Sequence, residues 1–154
     1  MNDDDGLKLA FDAAYAGVAE GQGPFGAAIV RDADDKCLAA CCNVTAGNND
    51  VTQHAELRCI QLACAMIGSP DLSGCTIYAT CEPCPMCFGA IHWARLGWLV
   101  SSATIEDAAS FGMRQMPIDN ATMARLGKST VRIRNAVDRA RGRALFEHWQ
   151  ANKD

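Results

Sequence analysis

The sequence predicts an α/β protein in three layers (α/β/α), with helices on both faces of one mixed five-stranded sheet. Three observations carry this prediction. Segments with the 3.6-residue period of helices alternate with apolar runs of strand length. A strand–turn–strand signal lies near the N-terminus. Two later strands are separated by a helix-length crossover, the connection that parallel neighbours require. With 154 residues, 49% of them hydrophobic, the chain fits a single domain over residues 1–154.

From about residue 4 to 20, Leu7, Phe11, Ala14 and Val18 share one helical face, and Asp3-Asp4-Asp5 is expected to cap this helix. Gly21-Gln22-Gly23-Pro24 breaks it. Phe25 to Val30 and Cys37 to Cys42 read as strands joined by the turn Asp32-Ala33-Asp34-Asp35. Asn43 to Gln53 is rich in Asn, Thr and Gly and has no face to bury. It is expected as an ordered loop whose asparagines can touch a ligand. Leu57, Ile60, Cys64 and Ile67 mark a helix from His54 to about Ile67, stopped by Gly68-Ser69-Pro70.

Thr76 to Thr80 is a short strand running into Cys81-Glu82-Pro83-Cys84-Pro85-Met86-Cys87. Pro85 suits the first position of a helix reaching about Arg95. Trp98 to Ser101 is the parallel neighbour. Between Ala103 and Lys128, Gly112 and Pro117 reduce the pattern to loop and short helices. Thr130 to Ile133 and Val137 to Trp149 are the last strand and helix.

Two segments carry chemistry. Cysteine thiolates and a histidine nitrogen are ligands that a borderline-soft ion such as Zn²⁺ selects, and three of them leave a fourth position open. His54, Cys84 and Cys87 make such a set where two helix N-termini converge, with positive dipole ends that favour thiolates. Glu56 stands beside them. A redox use of the overlapping CxxC pairs, Cys81 with Cys84 and Cys84 with Cys87, leaves His54 and Glu56 without a role. A closed structural zinc site needs a fourth ligand, for which Cys81 is the one nearby thiol.

Composition narrows the partners. A net charge of −4 supplies no field that draws nucleic acid or an anionic membrane. Lys128, Arg132, Arg134, Arg139, Arg141 and Arg143 gather towards the C-terminus, but Asp138 and Glu147 interrupt them. A solvated helix face is the expectation, and no nucleic-acid partner. No apolar run approaches the roughly 20 residues that span a bilayer, and the acidic start is unlike a signal peptide. The cytoplasm is therefore the expected location. Nine cysteines are an odd count without an export signal, and Cys37, Cys41, Cys42, Cys59 and Cys64 are expected as small core residues.

The motifs His54-Ala55-Glu56 and Pro83-Cys84-Pro85-Met86-Cys87, in this order and separation, resemble the cytidine deaminase-like superfamily of zinc hydrolases. Gly23 to Ala27, Asn43-Val44-Thr45, Asn49 to Glu56 and Cys81 to Arg95 are most similar to bacterial and plant guanine or guanosine deaminases. Adenosine deaminases acting on tRNA share much of this, but their usual cysteine segment lacks Ile91-His92-Trp93. The resemblance implies a mixed five-stranded sheet between helices and a homodimer. It implies Zn²⁺ held by His54, Cys84 and Cys87, with Glu56 as the proton shuttle. The implied activity is hydrolytic deamination of a free nucleobase of the guanine type, through a zinc-bound hydroxide, with release of ammonia. Asn43 and Ala55 match substrate contacts, and Trp93 and Phe25 are the natural flat walls for the base.

The chain departs from that pattern after Gly112. Met113-Arg114-Gln115 stands where an aromatic and an acidic pair are usual, and Asn152-Lys153-Asp154 lacks the acidic and aromatic tail of some relatives. Deamination is expected to survive these changes, whereas substrate preference is expected to respond to them. Cytosine, another aminoazine or a nucleoside is the alternative substrate, with tRNA adenosine behind these.

Overall fold

A computed structural model describes residues 1–153 of the chain. Helix α1 (Asp3–Ala19) is capped by Asn2, whose side chain accepts the Asp5 N–H at 2.8 Å. The acidic triplet, expected as the cap, instead fills the first turn, where the helix dipole favours negative charge. Strands β1 (Gly26–Arg31) and β2 (Lys36–Cys42) form the expected hairpin. The loop after β2 contains one helical turn not foreseen from its composition, α2 (Thr45–Asn48). There follow α3 (Ala55–Ile67), β3 (Cys75–Cys81), α4 (Pro85–Trp93), β4 (Trp98–Ala103), α5 (Ile105–Ser110), α6 (Asn120–Gly127), β5 (Arg132–Arg134) and α7 (Arg139–Asn152).

The sheet order is β2-β1-β3-β4-β5. β1 runs antiparallel to both its neighbours, while β3, β4 and β5 are mutually parallel, so the sheet is mixed as expected. Every residue of β3 is buried, as a central strand covered on both faces requires. Alternation along the strands divides two cores. Ala27, Ile29, Ile77 and Leu99 pack against α3, α4 and α6 on one face; Ala28, Val30, Tyr78 and Val100 pack against α1 and α7 on the other. At Gly26 a Cβ would collide with the Ala10 carbonyl, so glycine there lets α1 lie against the sheet.

Helix α3 buries a different stripe from the one its large apolar residues mark. Ala55, Glu56, Cys59 and Ala63 face inwards, Ile60 and Cys64 are partly buried, and Leu62, Met66 and Ile67 are exposed. Small side chains bring this helix close to the sheet, and large ones are left outside. The cysteines divide similarly: Cys41 and Cys59 are core residues as expected, whereas Cys42 and Cys64 are half-buried and Cys37 is exposed beside the hairpin turn.

Ion pairs fasten the C-terminal segments. Buried Asp107 accepts from Arg139 Nε at 2.7 Å and from Arg143, Arg134 reaches Asp3 at 2.7 Å, and Arg141 reaches Asp4 at 3.0 Å. Arg132 and Arg134 also lie over the Trp98 ring, at 4.4 and 4.1 Å from its centre. The five arginines of the basic cluster thus meet acidic or aromatic groups of their own chain. Among the described residues, no helix is long and apolar enough to cross a membrane.

Candidate metal centre

Each potential ligand sits at the start of a helix. His54 is the N-cap of α3, in extended backbone, and Cys84 is the N-cap of α4, followed by Pro85 at the first helical position and Cys87 one turn in. The start of α3 is held against the end of β2, because Arg58 Nη1 donates to the Cys42 carbonyl at 2.6 Å and the Val44 N–H to the Gln53 carbonyl at 3.0 Å. β3 delivers the cysteine loop from the middle of the sheet, beside the strand that precedes α3 by way of the hairpin.

Nδ1 of His54 lies 3.6 Å from Cys84 Sγ and 3.5 Å from Cys87 Sγ. The three ligand atoms all fall within 4.8 Å of one another. Bonds of about 2.3 Å to sulfur and about 2.0 Å to nitrogen, set at tetrahedral angles, separate the two atoms by about 3.5 Å. The residues present therefore fit one zinc ion. Cys81 is outside this group: its Sγ points to the Thr104 carbonyl at 3.7 Å, and burial pushes its thiol well up. Three ligands leave the open position of a working metal.

The three ligand side chains share protons through their close contacts. Hydrogen bonding from Cys87, then from His54, draws the Cys84 thiol down to about 4, while the same contact with Cys84 pushes the Cys87 thiol up. The Cys84 hydrogen bond also raises His54. Glu56, two residues into α3 and only 7% exposed, is pushed up to about 7 by burial. A carboxyl poised near neutrality is suited to both accepting and donating a proton.

These groups open into a cavity of about 550 Å³, within the range of small-molecule sites. His54, Glu56 and Cys84 line it together with Phe25, Asn43 and the segment Met113, Arg114, Gln115 and Met116. Phe25 is braced edge-on by Phe146, with ring centres 5.8 Å apart. Asn43 Oδ1 accepts the Thr45 N–H at 2.8 Å, which leaves its Nδ2 without a protein partner among the described residues.

Two expected substrate contacts are not brought into this cavity. Trp93 closes α4 on the side away from its buried residues Cys87, Phe88 and Ile91, and its side chain is 80% exposed. The Ala55 side chain is wholly buried in the core, so any contact it makes is through its N–H at the first turn of α3. In the other direction, Val51, Cys81, Glu82 and Met86 line the cavity without having been singled out for it. For Glu82 the sequence carries a signal: an acidic residue between a largely apolar strand and a proline.

The family model for the cytidine and deoxycytidylate deaminase zinc-binding region matches residues 1–103. The chain belongs to this family. It is a zinc-dependent hydrolytic deaminase with the mixed-sheet α/β fold of that group. Guanine deaminase from Bacillus subtilis is 44% identical over 113 residues, covering 73% of this chain and 71% of that protein. A tRNA-specific adenosine deaminase from Agrobacterium fabrum is 39% identical over 90 residues, 58% of each chain. Among solved structures, guanine deaminase from Nitrosomonas europaea superposes with a TM-score of 0.87 at 26% identity, covering 95% of this chain and 83% of that one.

Proposed function

We propose that this deaminase removes the exocyclic amine of a free nucleobase of the guanine type, with His54, Cys84 and Cys87 holding zinc and Glu56 moving the protons. The observation that carries the reading is Glu56: a buried carboxyl, raised to about 7, lining the same cavity as His54 and Cys84. The likeness to the Bacillus subtilis guanine deaminase supports the choice of base.

The chemistry that zinc supplies when bound is Lewis acidity, which makes water acidic enough to act as a nucleophile near neutral pH. Glu56 takes a proton from the attacking water through its carboxylate and passes it to the ring nitrogen, then carries the remaining hydroxyl proton to the exocyclic nitrogen. The carbon–nitrogen bond then breaks, ammonia leaves and a carbonyl remains on the ring. Asn43 orients the base, since its Nδ2 donors are unspent while its Oδ1 is anchored by Thr45. Phe25 supplies an apolar wall. Ala55 offers its backbone N–H.

A tRNA substrate is the weaker reading, because Arg134, Arg139, Arg141 and Arg143 are paired with Asp3, Asp107 and Asp4 and offer phosphates little unpaired charge. A homodimer is the proposed assembly, and with it a place for Trp93. That ring is 80% exposed, and Leu62 and Met66 on α3, which covers the same sheet face as α4, are 52% and 57% exposed. Residues 1–154 form one domain in this reading, with Asp154 outside the described residues. Nine unpaired cysteines support a reducing compartment such as the cytoplasm. Incubating the zinc-loaded protein with guanine and following xanthine formation tests the proposal; the alternative bases and nucleosides serve as comparisons.

A further inference from the structure

We infer that Glu82 is a positioning residue, whose single carboxylate ties the cysteine loop to both ends of the segment that walls the substrate cavity. Its Oε1 accepts the N–H of Ile105, the first residue of α5, at 3.1 Å. Its Oε2 accepts the N–H of Asn120, the first residue of α6, at 2.9 Å. Between these two anchor points runs the stretch that contributes Met113, Arg114, Gln115 and Met116 to the cavity.

The rest of the network holds the carboxylate in place. Asn135 Nδ2 donates to Oε2 at 3.2 Å, and Asn135 is itself fixed by Ser101 Oγ on β4 at 2.7 Å. The Glu82 N–H donates to the Ala103 carbonyl at 2.8 Å. Asn120 adds a second tie, its Nδ2 donating to the Pro83 carbonyl at 2.7 Å. Glu82 is 5% exposed and has no cationic partner among the described residues. Three N–H donors converge on two acceptor oxygens. An amide at this position would present a donor to one of those N–H groups and leave it unpaired in the interior.

Because Glu82 stands two residues before Cys84, the distance between the metal group and the wall of the cavity is set through this side chain. Met113 is pinned by its N–H to the Ala108 carbonyl at 3.1 Å and by packing beside Phe146, whereas Arg114 to Met116 belong to no helix or strand and lie between the two anchors. The inference rests on reading the cavity as the substrate pocket, and its test includes a readout that needs no substrate.

Glu82→Gln is compared with the parent protein by zinc content, by amide hydrogen exchange across residues 105–120, and by steady-state kinetics with guanine. The expected result is an unchanged zinc content and exchange at least about tenfold faster in 105–120 but not in β3. KM should rise about tenfold while kcat stays within about threefold. Asn135→Ala, which removes one donor and leaves the carboxylate, should shift the same quantities in the same direction by less, and serves if the Gln variant does not fold. Unchanged exchange in 105–120 would overturn the inference, as would loss of zinc or a fall in kcat at constant KM. If the parent protein itself leaves guanine untouched, the proposed substrate fails, and the exchange result alone decides the role of Glu82.

Discussion

His54 Nδ1 stands 3.6 Å from Cys84 Sγ, although the two residues are 30 positions apart and open different helices. That spacing matches two ligands of a tetrahedral zinc ion. Replacing His54, Cys84 or Cys87 with Ala should each reduce bound zinc from one ion per chain to a small fraction of it. Cys81→Ser should keep it, since the Cys81 thiol is turned to Thr104. Metal analysis of the purified variants checks this, and complete zinc loss in Cys81→Ser would require a closed four-ligand site.

Glu56→Gln should retain zinc and lose turnover by about 10² to 10⁴-fold, the usual contribution of a positioned general acid–base. The amide is close in shape but carries no transferable proton, so KM should change far less than kcat. A near-normal rate would remove Glu56 from the proton path.

Asn43→Asp separates two uses of one side chain. Asp keeps an oxygen for the Thr45 N–H, so the loop should stay in place, but it replaces the unspent Nδ2 donors with an acceptor. The predicted loss is about 1 to 3 kcal/mol in kcat/KM for a base held through its oxo group or ring nitrogen, or roughly tenfold or more. Unchanged kcat/KM would show that Asn43 does not read the substrate.

Much of this arrangement is legible in the sequence because it is local. His54 and Cys84 each follow a segment that a helix signal then continues, so helix starts and ligand spacing can be read directly, and Glu56 follows from its place in the first turn of α3. Contacts that depend on which way a helix faces are not legible in that way. Large apolar residues mark one stripe of α3, but Ala55, Cys59 and Ala63 pack inwards because small side chains permit the closer approach. Trp93 reads as a wall of the pocket, and only the orientation of α4 turns it outwards. The segment after Gly112 has no period at all, and the residues that bracket it, Ile105 and Asn120, are tied to Glu82, far from them in sequence.

Asp107 gives a prediction for stability and pH. The Arg139 guanidinium beside it holds its carboxyl well below the usual carboxylate range, and it also accepts the Thr104 N–H at 3.0 Å in a capping box. A lowered folded-state value means the contribution is fully present above the unfolded value of about 4 and is lost as pH falls below it towards the folded value. Asp107→Ala should cost about 1 to 2 kcal/mol at neutral pH, mostly from the cap. The ion-pair share is discounted because Arg139 and Arg143 are 53% and 40% exposed. Urea unfolding between pH 7 and 2 should show the difference between variant and parent shrinking on the acid side; a constant difference would contradict this assignment.

Ammonia release measured across free bases, nucleosides and tRNA, before and after zinc is stripped and restored, tests the central claim most directly. The account predicts release from guanine, or from a related aminoazine such as cytosine if Arg114 and Gln115 redirect the pocket. It further predicts loss of that activity on chelation, its return with zinc, and no reaction with tRNA. Activity confined to adenosine in tRNA, or turnover indifferent to zinc removal, would contradict it.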